Sequence, residues 1–282
     1  MTVASVFGVA RSQLTIRLAA AQGTGCAPVV GQAAPAGTEA DATLVTRVRG
    51  LVRDRATYGY RRVAAVFRRE FLQGSGQRVN HKRLYRVMRD HGLLLRRHYG
   101  DRPGRVHDGV IITLHSNQRW CSDAFEIRCW NGERVQVAFS LDCCDREVMG
   151  YVATTGTING ELIRDLMLAS VLNRFGEDAK RVPSPVQWLT DNGGAYVAHE
   201  TVSFAEGLGL EPYTTPPYSP ESNGMAESFV KSFKRDYAYQ YEPRTAAVVL
   251  ENLPRWIDDY NRFRPHRGLK MLSPSEYRQL AS

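Results

Sequence analysis

The sequence predicts an α/β fold, a mixed sheet flanked by helices, preceded by a small all-α unit rich in cations. Three observations predict it. Apolar residues recur at helical spacing through residues 41–99, whereas from about residue 119 short β-type runs alternate with amphipathic stretches. Charge is segregated: residues 41–110 hold 17 Lys and Arg against 6 Asp and Glu, although the 282-residue chain carries a formal net charge of only +8. Runs rich in Gly, Ala and Pro, at 21–40 and around Pro103, separate the regions. The expected organisation is a partial helix-turn-helix remnant and linker (1–40), a basic helical domain (41–99), a linker (100–115), and an α/β core with C-terminal helices (116–282).

In chain order, Ala4–Ser12 pairs an apolar run with a turn glycine and a capping serine, as at the end of a helix-turn-helix. Leu44, Val48, Leu51 and Val52 mark one helix, and Val63, Val66 and Phe67 a second beyond the turn at Tyr58-Gly59-Tyr60. Asn80 caps a third, with Leu84, Val87 and Met88 inward and Gly92 as its stop. Arg119–Cys129, Val135–Asp142 and Val148–Thr154 read as strands. Asn159 starts a helix through Leu162, Leu166, Met167, Ser170 and Val171, and Pro185–Thr190 is a short buried strand. A helix follows Tyr196. Residues 220–237 and 244–262 read as helices, and Pro254 should kink or interrupt the second.

The five cysteines, Cys26, Cys121, Cys129, Cys143 and Cys144, form no C-x-x-C pair, which excludes a zinc ribbon and reads as buried thiols. No run nears 18 apolar residues and no signal-peptide pattern opens the chain, so a cytoplasmic protein is expected. Ten cations, among them Arg61, Arg62, Lys82, Arg83 and Arg86, decorate residues 41–99 with few acids beside them. Such an excess points to phosphate contacts on nucleic acid rather than to solvated helix faces.

Asp123 lies inside the apolar run Trp120–Phe125, where a carboxylate is costly unless a partner or metal compensates it. Asp191 ends a strand, ahead of Asn192-Gly193-Gly194, at the edge where open α/β sheets place ligands. Glu227 flanks the helical stripe Ala226, Phe229, Val230, Phe233 and Tyr237, with Lys231 and Lys234 nearly on its own face. Singly, Asp191 reads as a turn residue and Glu227 as half of an i, i+4 surface pair. Together, two strand aspartates and a helix glutamate can surround two divalent cations. One would activate water or a 3′-hydroxyl, the other would stabilise the leaving oxygen.

Trp120-x-x-Asp123, Thr190-Asp191-Asn192-Gly193 and Ser219-Pro220-x-x-Asn223-Gly224-x-x-Glu227 resemble the retroviral-integrase-like core of DDE transposases, in which 35 residues separate the last two acids, as they do here. Tyr58-Gly59-Tyr60-Arg61-Arg62, Asn80-x-Lys82-Arg83-Leu84-Tyr85-Arg86-x-Met88 and Tyr260-Asn261-x-x-Arg264-Pro265-His266-x-x-Leu269 resemble the insertion-sequence-three family, in particular second-frame products of its insertion-sequence-two subgroup. The resemblance covers about residues 41–282. It implies a ribonuclease-H-like core behind a helix-turn-helix-like domain, with Asp123, Asp191 and Glu227 as catalytic residues and ligands of two Mg²⁺ or Mn²⁺ ions. It further implies cleavage and strand transfer of double-stranded DNA at terminal inverted repeats and into target DNA. The expected partners are an upstream-frame DNA-binding protein or fusion, and further copies of the chain assembled on DNA at the nucleoid. Lys231, Lys234, Arg61, Arg62, Lys82, Arg83 and Arg86 are the expected DNA contacts, and Asn192 the support of Asp191.

Asp142 and Asp145 compete weakly as metal ligands. His266 reads as structural beside Arg264 and Arg267, and Trp120 and Trp188 as core rather than base-stacking platforms. Two alternatives remain open at this point: a DNA-binding regulator with an inactive core, and a nuclease without joining activity.

Overall fold

The computed structural model describes residues 39–76, 78–96, 113–214 and 224–281. The expected helix-turn-helix remnant near the N-terminus, Cys26 and the segment Ser219–Asn223 lie outside them. The chain divides into two compact units, the first ending at Arg47 and the second running from Val48 to Ser282.

Three helices come first: α1 (Glu39–Asp54), α2 (Tyr60–Leu72) and α3 (His81–Asp90). Each starts and stops for a local reason. Gly59 opens α2 in an extended conformation, Asn80 caps α3 by accepting from the Lys82 amide at 2.9 Å, and Gly92, at φ +67°, turns the chain out of α3. Val63, Val66, Phe67, Leu84 and Met88 are buried, as their spacing predicts.

Five strands follow: β1 (Arg119–Arg128), β2 (Arg134–Asp142), β3 (Val148–Thr154), β4 (Val186–Thr190) and β5 (Leu210–Thr214). The sheet order is β3-β2-β1-β4-β5. β1–β2 and β2–β3 are antiparallel, while β1–β4 and β4–β5 are parallel, which makes the sheet mixed. The sequence reading did not place β5. Its residues are exposed beyond Leu210 and include Pro212, so no apolar alternation marks them; proline is tolerated because β5 is an edge strand.

Helices cover both faces of the sheet. On one, α4 (Gly160–Phe175), the single turn α5 (Gly194–Val197) and α6 (His199–Gly207) build a core with Trp120, Met149, Trp188 and Leu210. α4 approaches β3 closely because Gly150 has no side chain: a Cβ there would fall 2.6 Å from Ser170 Oγ. The Ser170 hydroxyl is also 2.6 Å from Ser140 Oγ, so this small-residue contact is fully hydrogen-bonded. On the other face, α7 (Gly224–Phe233), a π-helical turn (Lys234–Ala238) and α8 (Ala246–Arg262) pack Phe229, Phe233, Leu253, Trp256 and Tyr260 against Cys121, Phe125, Val137 and Phe139. Cys121 and Cys129 share this core and, with Cys143 and Cys144, are free thiols. A short helix, α9 (Pro274–Ala281), ends the described chain.

Pro254 does not interrupt α8, contrary to the sequence expectation. It sits on the solvent side beside buried Leu253, Trp256 and Ile257, where the carbonyl left without a donor can be met by water while the apolar face holds the helix together.

Arg55, Arg62 and Arg69, spaced seven apart, tie the helical segment to the C-terminal elements. Arg55 pairs with Asp259 (2.6 Å), Arg62 with Asp236 (3.2 Å) and Arg69 with Glu276 (2.5 Å). The guanidinium groups of Arg55 and Arg69 both lie over the Phe263 ring, 4.6 and 5.2 Å from its centroid. Part of the cationic excess therefore has an internal use.

Candidate active site

The pairing register places the two aspartates. β1 and β4 run parallel with Trp120 opposite Trp188 and Cys121 opposite Leu189. Asp123 lies two residues past this pairing on β1 and Asp191 directly follows the end of β4, so the parallel register directs both toward the same end of the sheet. Side chains alternate along a strand, so both carboxylates share the face of Cys121 and Leu189, the face covered by α7. α7 carries Glu227 in its first turn, and its buried stripe of Ala226, Phe229 and Phe233 fixes the helix rotation that leaves Glu227 at the margin of the interface.

Asp123 senses the other two carboxylates. The Asp123 carboxyl is raised above its ordinary range, first by burial and then by the negative charges of Asp191 and Glu227; the Ala124 amide, donating to Oδ1 at 2.7 Å, opposes the rise. Asp191 is exposed and accepts from the Gly193 amide at 3.0 Å, a turn that aims its carboxylate over the strand end. Glu227 Oε2 accepts from Lys231 Nζ at 3.2 Å, the i, i+4 pair that the helix spacing allows. Among the described residues, no three His, Cys, Asp or Glu side chains are already drawn into a metal cage. The donor set nevertheless fits a hard divalent cation: three carboxylates, two of them close enough to the third to raise the Asp123 carboxyl, at the solvent edge of the sheet.

Beneath them lies a hydrogen bond that the sequence did not suggest. Tyr196 Oη and Ser122 Oγ are 3.0 Å apart and buried, and burial pushes the phenol upward, so it stays protonated. Ser122 precedes Asp123 and Tyr196 follows Asp191 by one short turn. An aromatic in a helix and a serine in a strand carry no signal of this pairing until the sheet register is known.

Lys231 is exposed. Lys234 is half-buried with Nζ 5.6 Å from the Phe125 centroid, and burial lowers its pKa. In the helical segment, Arg61, Lys82 and Arg86 are exposed and Arg83 is half-buried. The Arg62 side chain is 22% exposed and paired with Asp236 at 3.2 Å. Asn192 is exposed at the turn after Asp191.

Asp142 and Asp145 are corrected as metal candidates. Both are fully buried and engaged with Arg174, at 3.5 and 2.5 Å, while the Asn117 amide donates to Asp142 and the Ser116 hydroxyl to Asp145, each at 2.7 Å. Glu147 joins the same guanidinium. Burial and the Asp145 charge push Asp142 up to about 6. This is a buried ionic cluster, joined at Glu147 by Arg278 at 2.8 Å. His266 is structural: it packs edge-on against Tyr260 at 4.8 Å and is 5% exposed. Trp120 and Trp188 are core residues, packed edge to face at 6.4 Å.

Comparison with known proteins agrees with this fold. Residues 114–220 and 208–274 match family models described as integrase core domains, and residues 39–100 match an HTH-like domain. Transposase InsD for insertion element IS2A/D/F/H/I/K of Escherichia coli is 47% identical over 238 residues, covering 84% of this chain and 78% of the relative. Transposase InsD for insertion element IS2-9 of Escherichia coli (strain K12) is likewise 47% identical, covering 84% and 77%. In fold alone, the chain is similar to a chain of the simian T-cell lymphotropic virus intasome in complex with PP2A regulatory subunit B56 gamma, with a TM-score of 0.50, 15% identity, and coverage of 84% of this chain and 74% of that one. The chain thus belongs to the insertion-element transposases of the insertion-sequence-three type, polynucleotidyl transferases with an HTH-like domain ahead of a ribonuclease-H-like integrase core.

Proposed function

We propose that Asp123, Asp191 and Glu227 are the catalytic carboxylates of this transposase and hold two Mg²⁺ or Mn²⁺ ions. The observation that carries the reading is the parallel pairing of β1 and β4 up to two residues before Asp123 and Asp191, together with the charges of Asp191 and Glu227 felt at the Asp123 carboxyl. Bound divalent ions would supply an activated water or 3′-hydroxyl and neutralise charge developing at phosphorus. The chain's own residues perform the rest. Asp123 and Asp191, at the ends of β1 and β4, would hold the divalent ions through which the reacting phosphate is positioned. Glu227, paired with Lys231 at 3.2 Å, would be the third carboxylate to hold an ion, and Lys231 would then be available to a DNA phosphate. Lys234, held over Phe125, stands on the same approach. No protein nucleophile is required.

The substrate in this reading is double-stranded DNA: the element's terminal inverted repeats, cleaved and then joined to target DNA. Arg61, Lys82, Arg83 and Arg86 on α2 and α3 supply phosphate contacts, within a basic helical domain of about residues 41–99 ahead of the core. Copies of the chain assemble on the DNA, together with an upstream-frame DNA-binding partner, in the cytoplasm at the nucleoid. Among the described residues no helix is long and apolar enough to cross a membrane.

The test is Asp191→Asn on terminal-repeat DNA with Mg²⁺, resolving hydrolysed from joined products. The expected result is retained DNA binding with cleavage and joining reduced by at least about a hundredfold. Joining at the wild-type rate would overturn the assignment.

A further inference from the structure

A second cluster of charge lies on the other edge of α7. A half-open cavity of about 160 Å³, the share of about five liquid waters, is lined by Arg62, Arg146, Arg264 and Arg267 together with Ser228 and Ser232. Ser232 lies about 140° round the helix from Glu227, beyond the opposite margin of the buried stripe. The cavity is therefore separate from the catalytic carboxylates although it shares their helix.

Its charges are out of balance. The nearest carboxylate, Asp236, is buried behind the cavity and divided among three cations: Arg62 at 3.2 Å, Arg264 at 2.7 Å and Arg235 at 2.6 Å. Among the described residues, Arg146 and Arg267 have no acidic partner, and Arg267 is exposed at the mouth. The imidazole of His266, on the cavity wall, is kept neutral by burial and then by Arg264, Arg146 and Arg62, so it adds no further cation to the wall.

The backbone is also committed to this arrangement. Arg146 adopts φ +62°, in the left-handed region that costs a non-glycine residue about 1 kcal/mol or more. Its guanidinium lies against Gly268, where a Cβ would fall 2.2 Å from Nη2. A strained residue whose cationic head is held against a glycine and left without a counter-charge is the arrangement expected where an anion completes the site.

We propose that this cavity binds a phosphate group, gripped by Arg146 and Arg267 with Ser228 and Ser232 as hydroxyl donors, and that in the working transposase the group is a DNA backbone phosphodiester remote from the reacting one. The DNA source rests on the function proposed above; the phosphate chemistry does not. Planar guanidinium forks match phosphate oxygens, and a single helix joins this grip to Glu227, so DNA seated here bears on the helix that carries the third catalytic carboxylate.

The test compares the full chain with Arg146→Gln, Arg267→Gln and the double variant. Affinity for terminal-repeat duplex is measured across a salt series, and thermal stability with and without inorganic phosphate. Arg267→Gln, at an exposed position, keeps the test valid should replacement of Arg146 impair folding. The expected result is a log affinity–log salt slope shallower by about 0.9, one phosphate contact, with phosphate stabilising the wild type but not the variants. A slope unchanged in folded variants that have lost phosphate stabilisation would overturn the DNA source and leave a site for free phosphate. Unchanged slope and unchanged stabilisation together would overturn the site. Asp191→Asn, run alongside, separates this outcome from a failure of the transposase assignment, because it removes joining without altering the slope.

Discussion

The hydroxyls of Tyr196 and Ser122 meet at 3.0 Å beneath the two aspartates, linking the strand that carries Asp123 to the turn that follows Asp191. The bond is buried, so it resists exchange with water, and it spans the two chain segments whose relative position sets the distance between the carboxylates.

Tyr196→Phe is therefore expected to destabilise the protein by about 1–3 kcal/mol, because Ser122 is left buried without a partner. Adding Ser122→Ala should restore part of that loss. As positioning residues, they should lower the strand-transfer rate constant while leaving DNA affinity near that of the wild type. Urea melts of the single and double variants, with single-turnover joining assays, check both parts. A full loss of DNA binding would instead indicate general unfolding.

Asp123→Asn should separate stability from activity. The carboxyl is raised in the folded protein, so its contribution to stability is present below its unfolded value and is lost as pH rises through the folded one. At neutral pH the ionised group opposes folding of the metal-free protein, and the amide removes that opposition while keeping an oxygen for the Ala124 amide. Metal-free Asp123→Asn should melt above the wild type at pH 7.5, the gap narrowing toward pH 4. Mg²⁺ should raise the melting temperature of the wild type only, and strand transfer by the variant should fall at least about a hundredfold. Equal stabilisation of both proteins by Mg²⁺ would remove Asp123 from the ligand set.

Arg174 pairs with three buried acids, Asp142, Asp145 and Glu147, the last of which also meets Arg278. Arg174→Met should cost about 3–5 kcal/mol, the range for stranding buried charge. Equilibrium urea denaturation reads this directly. A loss below 1 kcal/mol would show that the cluster is solvated in solution.

His266 imposes a pH dependence of the opposite sign from Asp123. Its folded value is lowered to about 2 against 6.5 unfolded, so its contribution to stability is present above pH 6.5 and declines as pH falls below it. Between pH 7.5 and 5.5 this residue alone should remove about 1 kcal/mol. His266→Gln should flatten that part of the stability profile. An unchanged slope in chemical denaturation across the two pH values would show that the imidazole is accessible and protonated.

What sequence reasoning reached, it reached through local physics. Asn80, Asn159 and Gly92 mark their helix ends because capping depends on one side chain and its neighbouring amides. β1, β2, β3 and β4 were legible because alternating or continuous apolar runs report which residues are removed from water. Edge strand β5 was not, since an exposed strand is held by backbone pairing that leaves little trace in side-chain polarity. Pro254 misled because its cost depends on which side of α8 it faces.

The sequence by itself determined the chemical inventory: two strand acids, a helix acid 35 residues after the second, and a cationic N-terminal stretch. Only the tertiary structure decided how that inventory is used. The parallel register of β1 and β4 directs Asp123 and Asp191 toward the same end of the sheet, and the packing of α7 fixes where Glu227 stands. Long-range pairing likewise turns Arg62 inward to Asp236 and assigns Asp142 and Asp145 to Arg174. The physical reason is range. Propensity and capping act over a few residues, whereas the energy of a charge depends on its neighbours in space and its distance from water, and the fold alone sets both.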